Sequence, residues 1–206
     1  MIRKGEMFKM QTYQKECLET TIFVTTQEEY QQEAEMVMEY IADLVDEITE
    51  KTIVEFHYAY VGFEPVENGF RVVVPDLAHH ETEKTTENLT YFLQIIHDTF
   101  EMAKLTKTQG KLMNFTFKQH IVVANNAFSG PEFYAHRFEG DTWYIAPIDP
   151  KIETQPLTGK LAYELLPEHP ELYAILHLPV DYIALYANGE LVSVLNEESE
   201  EVLNKQ

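Results

Sequence analysis

Apolar and polar positions change period several times along this chain, and each change marks an element. Residues 17–26, CLETTIFVTT, are rich in β-branched and aromatic side chains, the composition of a strand. Thr26 followed three residues later by Glu29 has the spacing of a capping box. From there Tyr30, Ala34, Val37, Met38, Ile41, Leu44, Val45 and Ile48 recur with helical spacing. At about 100° per residue they fill an arc of roughly 120°, the width of a face lying on a core. This predicts one helix over residues 28–50. In TIVEFHYAYVGF, Val54, Phe56, Tyr58 and Tyr60 alternate with Glu55, His57 and Ala59, which predicts a strand running through His57. Asn68-Gly69 predicts a two-residue hairpin turn, and Pro75 ends the returning strand. Residues 76–86 read as a polar loop. A second helix is predicted near 87–106, with Leu89, Phe92, Leu93, Ile96, Phe100 and Ala103 on its inner face.

After Asn114 the texture shifts to short strands. FTFKQHIVVAN supplies one or two of them, and EFYAHRF and TWYIAPI flank a turn at Gly140. LAYELL and PELYAIL read as short helices punctuated by Pro167 and Pro170. Asn188-Gly189 predicts a second hairpin. The expected class is α+β, with two main helices packed on antiparallel sheet. A β-α-β-β-α unit over residues 1–110 would be followed by a mostly β unit with short helices over 111–206, as two domains or one fused domain.

Charge narrows the class of function. The chain carries 35 acidic against 15 basic side chains, a formal net charge of −20. Such a surface repels phosphates, so nucleic acid is not an expected partner. It would attract a basic protein. Cys17 is the one cysteine, so neither an internal disulfide nor a thiolate zinc cluster is available. The first residues, MIRKGEMFKMQTYQKE, lack the apolar core of a signal peptide, and no apolar run approaches the length of a membrane span. A cytoplasmic protein away from the membrane is the expectation.

Candidate chemistry is thin. His79, His80, Glu81 and Glu83 stand together in HHETE, yet no HExxH or acidic calcium-loop pattern accompanies them. Neither a metal nor a cofactor is expected. His97 and Asp98 are neighbours in sequence and so point about 100° apart on a helix, which places His97 at the edge of a buried face. There is no glycine-rich phosphate loop, no CxxC and no G-x-S-x-G elbow. His57, His136, Arg137 and Trp143 are the residues from which a small-molecule binder or a hydrolase-type enzyme would build a pocket.

The strongest local signal is acidic. Residues 27–50 hold nine carboxylates and no Lys or Arg. On a continuous helix Glu28, Glu35, Glu39, Asp43, Asp46 and Glu50 would form a stripe about 80° wide opposite the apolar face. Like charges at i and i+4 each cost a few tenths of a kcal/mol. Such a stripe is either plain solvated surface or a docking strip for a basic partner.

The second half brings a family into view. HIVVANNAFSGPEFYAHRFEGDTWYIAPIDP, followed by LAYELLPEHPELYAILHLPVDYIALYANGELVSV, resembles the small α+β domain of the bacterial immunity protein 33 family. The corresponding parts are the strand Ile121 to Ala124, the segment Asp141 to Tyr144, the step from Pro170 to Pro179 and the closing hairpin Tyr182 to Val194. The family's Asp-Ser-Gly-Trp stands here as Gly140-Asp141-Thr142-Trp143, and its Gly-Ser after the Leu-Pro step as Val180-Asp181. The resemblance implies a non-enzymatic protein that neutralises a toxin by binding it.

Overall fold

The computed structural model describes residues 9–18, 20–140, 142–149, 151 and 156–204. The chain is α+β and divides into two compact units, Met1–His97 and Asp98–Gln206. The division falls inside the second long helix, before the connector at 108–113 where the composition changes.

In the first unit the strands are β1 (Met10–Cys17), β2 (Thr20–Gln27), β3 (Ile53–Phe56), β4 (Ala59–Val66), β5 (Gly69–Pro75) and β6 (Thr85–Thr86). They form one sheet in the order β1-β2-β5-β4-β3, with β6 beside β5. All neighbours are antiparallel except β2 and β5, so the sheet is mixed rather than purely antiparallel. The stretch 17–26 is therefore the turn and second strand of a hairpin. Its first strand, MQTYQKEC, is an edge strand with five of its eight residues freely exposed, and carries no apolar alternation to announce it.

The first long helix, α1 (Gln31–Ala42), is shorter than the periodicity predicts. A 3-10 turn at Glu28–Tyr30 leads into it and another at Val45–Glu47 follows it. Thr26 is not its cap. That side chain is fully buried in β2, and its hydroxyl lies 3.4 Å from that of Thr90. The helix stops after Ala42 as the amides of Leu44, Glu47 and Ile48 each reach back three residues to Ile41, Leu44 and Val45. The charge pattern favours that ending. Asp43, Asp46 and Glu47 sit at the negative end of the helix dipole, and no basic residue lies in the last turn to offset them. Ile48 still turns inward, so the apolar positions keep a common side while the backbone leaves the helix.

Two turns differ instructively. Val66 pairs with Gly69, so the β4–β5 loop is Glu67-Asn68, one residue earlier than the Asn-Gly reading, and Asn68 takes the positive φ of 67°. Gly69 belongs to the strand. A Cβ there would lie 1.8 Å from the Thr21 carbonyl oxygen of the parallel neighbour. In the second unit Asn188 and Gly189 are themselves the loop, with φ of 54° and 77°.

The second helix, α2 (Thr90–Thr106), begins where the Asn88 side chain accepts the Thr90 amide at 3.0 Å. Leu89, Phe92, Leu93, Ile96 and Ala103 are buried as expected, and Ile95, Thr99 and Met102 join them, while Phe100 is only half-buried.

The second unit holds β7 (His120–Ala124), β8 (Glu132–Phe138), β9 (Thr142–Pro147), β10 (Leu157–Leu161), the short helix α3 (Ala162–Leu165), a 3-10 segment (Pro170–Ile175), β11 (Ile183–Ala187) and β12 (Glu190–Leu195). The sheet order is β10-β7-β9-β8-β11-β12, with β7 and β9 parallel and the rest antiparallel. Its inner face, with Ile121, Val123, Phe133, Trp143, Ile145 and Tyr186, is buried along with Phe115, Phe117 and the leucines of 165–178.

Candidate interaction surface

All six predicted stripe carboxylates, Glu28, Glu35, Glu39, Asp43, Asp46 and Glu50, are exposed, but they do not share one helix face. Only Glu35 and Glu39 lie on α1. Glu28 is in the entering 3-10 turn, Asp43 caps the helix, Asp46 is in the following 3-10 turn and Glu50 in the turn before β3. The 100° arithmetic holds only to Ala42. Beyond it the carboxylates form a band along an irregular segment.

The band is also not free of cations. Lys15 of β1 reaches across with its Nζ 2.5 Å from Glu39 Oε1. The Glu39 carboxylate, and behind it Asp43, raise the Lys15 pKa. Glu35 accepts a hydrogen bond from the Gln31 amide at 2.8 Å. The segment itself holds no Lys or Arg, and the neighbouring strand supplies Lys15 to Glu39.

A ninth-part detail of the same helix was invisible to the stripe. Glu33 is buried on the inner side, and its Oε1 lies 2.8 Å from His97 Nδ1 on α2, with Tyr30 edge-on to the imidazole at 5.9 Å. His97 therefore pairs with a carboxylate distant in sequence rather than with Asp98.

Of the four residues of the alternative pocket, His57 lies in the first unit and His136, Arg137 and Trp143 in the second. His57 is not within a strand. It is the first residue of the two-residue β3–β4 loop, with φ of 56°. In the second unit, His136 faces the opposite side of β8 from Arg137. Arg137 and Trp143 pair in register on the inner face and are buried. Arg137 Nη1 and Trp143 Nε1 both donate to the Leu176 carbonyl, Arg137 Nη2 donates to the Asn114 carbonyl at 3.0 Å, and the guanidinium lies 5.7 Å from the indole centre. These two side chains tie off the end of the 170–175 segment. Next to them His177 Nδ1 donates to the Met113 carbonyl at 2.7 Å, and burial lowers its pKa to about 4, with Arg137 adding to the effect.

His79 hydrogen-bonds both oxygens of Asp76, at 2.8 and 2.9 Å, and His80 adopts the left-handed backbone conformation with φ of 60°. Among the described residues no three His, Cys, Asp or Glu side chains converge as metal ligands. No described helix is long and apolar enough to cross a membrane. A groove of about 370 Å³ on the first unit is lined by Thr12, Phe23, Thr25, Val66, Glu67, Arg71 and Glu87, with Arg71 and Glu87 paired at 2.5 Å. It contains no histidine among the described residues.

One surface was missed by the sequence reading. The outward side of the second sheet carries Tyr134, His136 and Phe138 from β8 and Tyr144 from β9. Tyr134 and Tyr144 meet edge to face at 5.9 Å, His136 and Phe138 at 4.1 Å, and Phe138 and Tyr144 at 6.1 Å. Burial, then the Tyr144 hydroxyl, raise the Tyr134 pKa. The alternation of EFYAHRF contained this signal, because Tyr134, His136 and Phe138 share the face opposite Phe133, Ala135 and Arg137. Asp141, which the family resemblance uses, lies outside the described residues. Comparison with protein-family models, curated proteins and solved structures finds no match to this chain, so its reading rests on its own residues.

Proposed function

We propose that this chain is a non-enzymatic protein-binding module of the cytoplasm, whose acidic band docks a basic protein, in the manner of a toxin-neutralising immunity protein. The observation that carries the reading is the exposure of the six carboxylates Glu28, Glu35, Glu39, Asp43, Asp46 and Glu50, of which Glu39 alone has a described salt-bridge partner. The likeness of the second half to immunity proteins supports it from a separate direction. Exposed like charges at this density act over about 8–10 Å at physiological salt, so they steer encounter more than they hold a complex.

The test uses Glu35→Lys, Asp46→Lys and Glu50→Lys together, leaving the Lys15–Glu39 pair intact. A partner is first isolated at low salt from the cells that make the protein, and association rates are then measured for native and reversed chains. The reversed chain is expected to associate about tenfold more slowly, with the deficit shrinking as salt rises. Equal rates would overturn the role of the band.

A further inference from the structure

We infer that the outward face of the second sheet is a contact surface for a basic protein segment, which lays arginine or lysine side chains against the Tyr134, Phe138 and Tyr144 rings. The inference rests on the protein-binding reading above and names a surface that reading does not use.

Three observations carry it. First, the rings form one connected cluster on a side of β8 and β9 that faces away from the buried core, and Phe138 is 44% exposed. Aliphatic neighbours extend the patch. Ile183 and Leu195 continue the His136 register row, and Leu185 sits opposite Tyr134. Aromatic side chains at the centre of an exposed apolar patch are the composition of interface anchors. Second, the border is acidic. Glu132 and Glu190 flank Ala187 in the row at one end, both exposed. Asp181 lies 3.9 Å from His136. Third, the outward described positions of β7 to β12 include no lysine or arginine.

The chemistry of the occupant follows. A guanidinium or ammonium group is attracted to the face of a tyrosine or phenylalanine ring, and a carboxylate border adds to that attraction. Nucleic-acid bases also stack on aromatic rings, but that mode needs cations for the phosphates, and the outward described strand positions offer no lysine or arginine. A second copy of the chain would set one acidic border against another at a net charge of −20 each. A basic, partly apolar protein segment satisfies both the rings and the border.

The test uses the full chain and a synthetic eight-residue peptide of alternating arginine and leucine, with a glutamate-for-arginine peptide as control. Tyrosine rings are isotope-labelled, and the Tyr134 and Tyr144 signals are assigned from Tyr134→Phe and Tyr144→Phe. The arginine peptide is expected to shift those two signals, the glutamate peptide to leave them, and Tyr134→Ser with Tyr144→Ser to weaken binding about tenfold. Should the serine variant misfold by circular dichroism, Glu132→Lys with Glu190→Lys keeps the rings and is expected to weaken binding several-fold. Shifts confined to other tyrosines, or ring and border variants that bind the peptide as tightly as the native chain does, overturn the inference. The band-reversed chain separates the two readings. If it alone loses the peptide, the acidic band stands and this face falls. If no variant loses it, both fall.

Discussion

Gly69 and His177 show how a single position is decided by what the fold brings near it. At Gly69 the parallel strand β2 approaches so closely that a methyl group would overlap the Thr21 carbonyl. Gly69→Ala is expected to cost about 2–4 kcal/mol or to prevent folding, whereas Gly110→Ala, which meets nothing within 4 Å, should be nearly neutral. Urea unfolding of the two variants makes the comparison. At His177 the folded pKa of about 4 lies below the ordinary value of 6.5. The unfolded chain therefore binds a proton that the folded chain refuses as pH falls through 6.5. Stability from this group is intact above that value, is lost between 6.5 and 4, and the loss levels off below 4. Between pH 7 and pH 5 the chain should lose about 2 kcal/mol through His177 alone. His177→Gln, measured beside the native chain at both pH values, should abolish that part of the difference. An unchanged slope would show that His177 titrates normally.

At the scale of the element, α1 illustrates the competition between periodicity and charge. Its apolar residues keep helical spacing to Ile48, yet the helix ends at Ala42. Hydrophobic spacing asks only that side chains return to the core, and a 3-10 turn satisfies this as well as an α-turn does. Acidic residues at the negative end of the dipole then weigh against continuing. Asp43→Lys removes one of them and places a cation where the dipole favours it. The variant is expected to be more stable by about 0.3–1 kcal/mol, and the gain should diminish in salt. Thermal unfolding at low and high ionic strength checks both parts. A loss of stability would mean that the C-terminal charge does not set the end of the helix.

Over the whole molecule the net charge of −20 is a destabilising field as well as a steering one. Few described cations relieve it locally: Lys15 with Glu39, Arg71 with Glu87, Lys84 with Glu81 and Lys104 with Glu101 are pairs on the surface, each worth little by itself. The general repulsion is screened by salt, with a Debye length of about 30 Å at 0.01 M falling to about 3 Å at 1 M. The melting temperature is therefore expected to rise by roughly 3–5 °C between low salt and 0.5 M sodium chloride. Differential scanning calorimetry measures it. A fall would mean that the surface pairs outweigh the repulsion.

Local chemistry was legible wherever it is local. The alternation of EFYAHRF and TWYIAPI, the helical spacing from Leu89 to Ala103, the Asn188-Gly189 turn and the acidity of 28–50 all lie within a few residues of one another, and the α+β class follows from them. What lay outside that reach depended on partners distant in sequence. Nothing local marks β1, because MQTYQKEC is an edge strand whose exposed faces ask for no apolar pattern. Nothing local reveals that Lys15 answers Glu39, that Glu33 answers His97 across 64 positions, or that Gly69 sits in a strand because β2 runs beside it. The same limit governed the candidate sites. Arg137 and His136 are adjacent in sequence and on opposite sides of a sheet, and strand pairing made one a buried tie for backbone carbonyls and the other part of an outward aromatic face. Sequence spacing determines which side chains share a face. Only the packing of one element on another decides which face meets the core and which meets a partner.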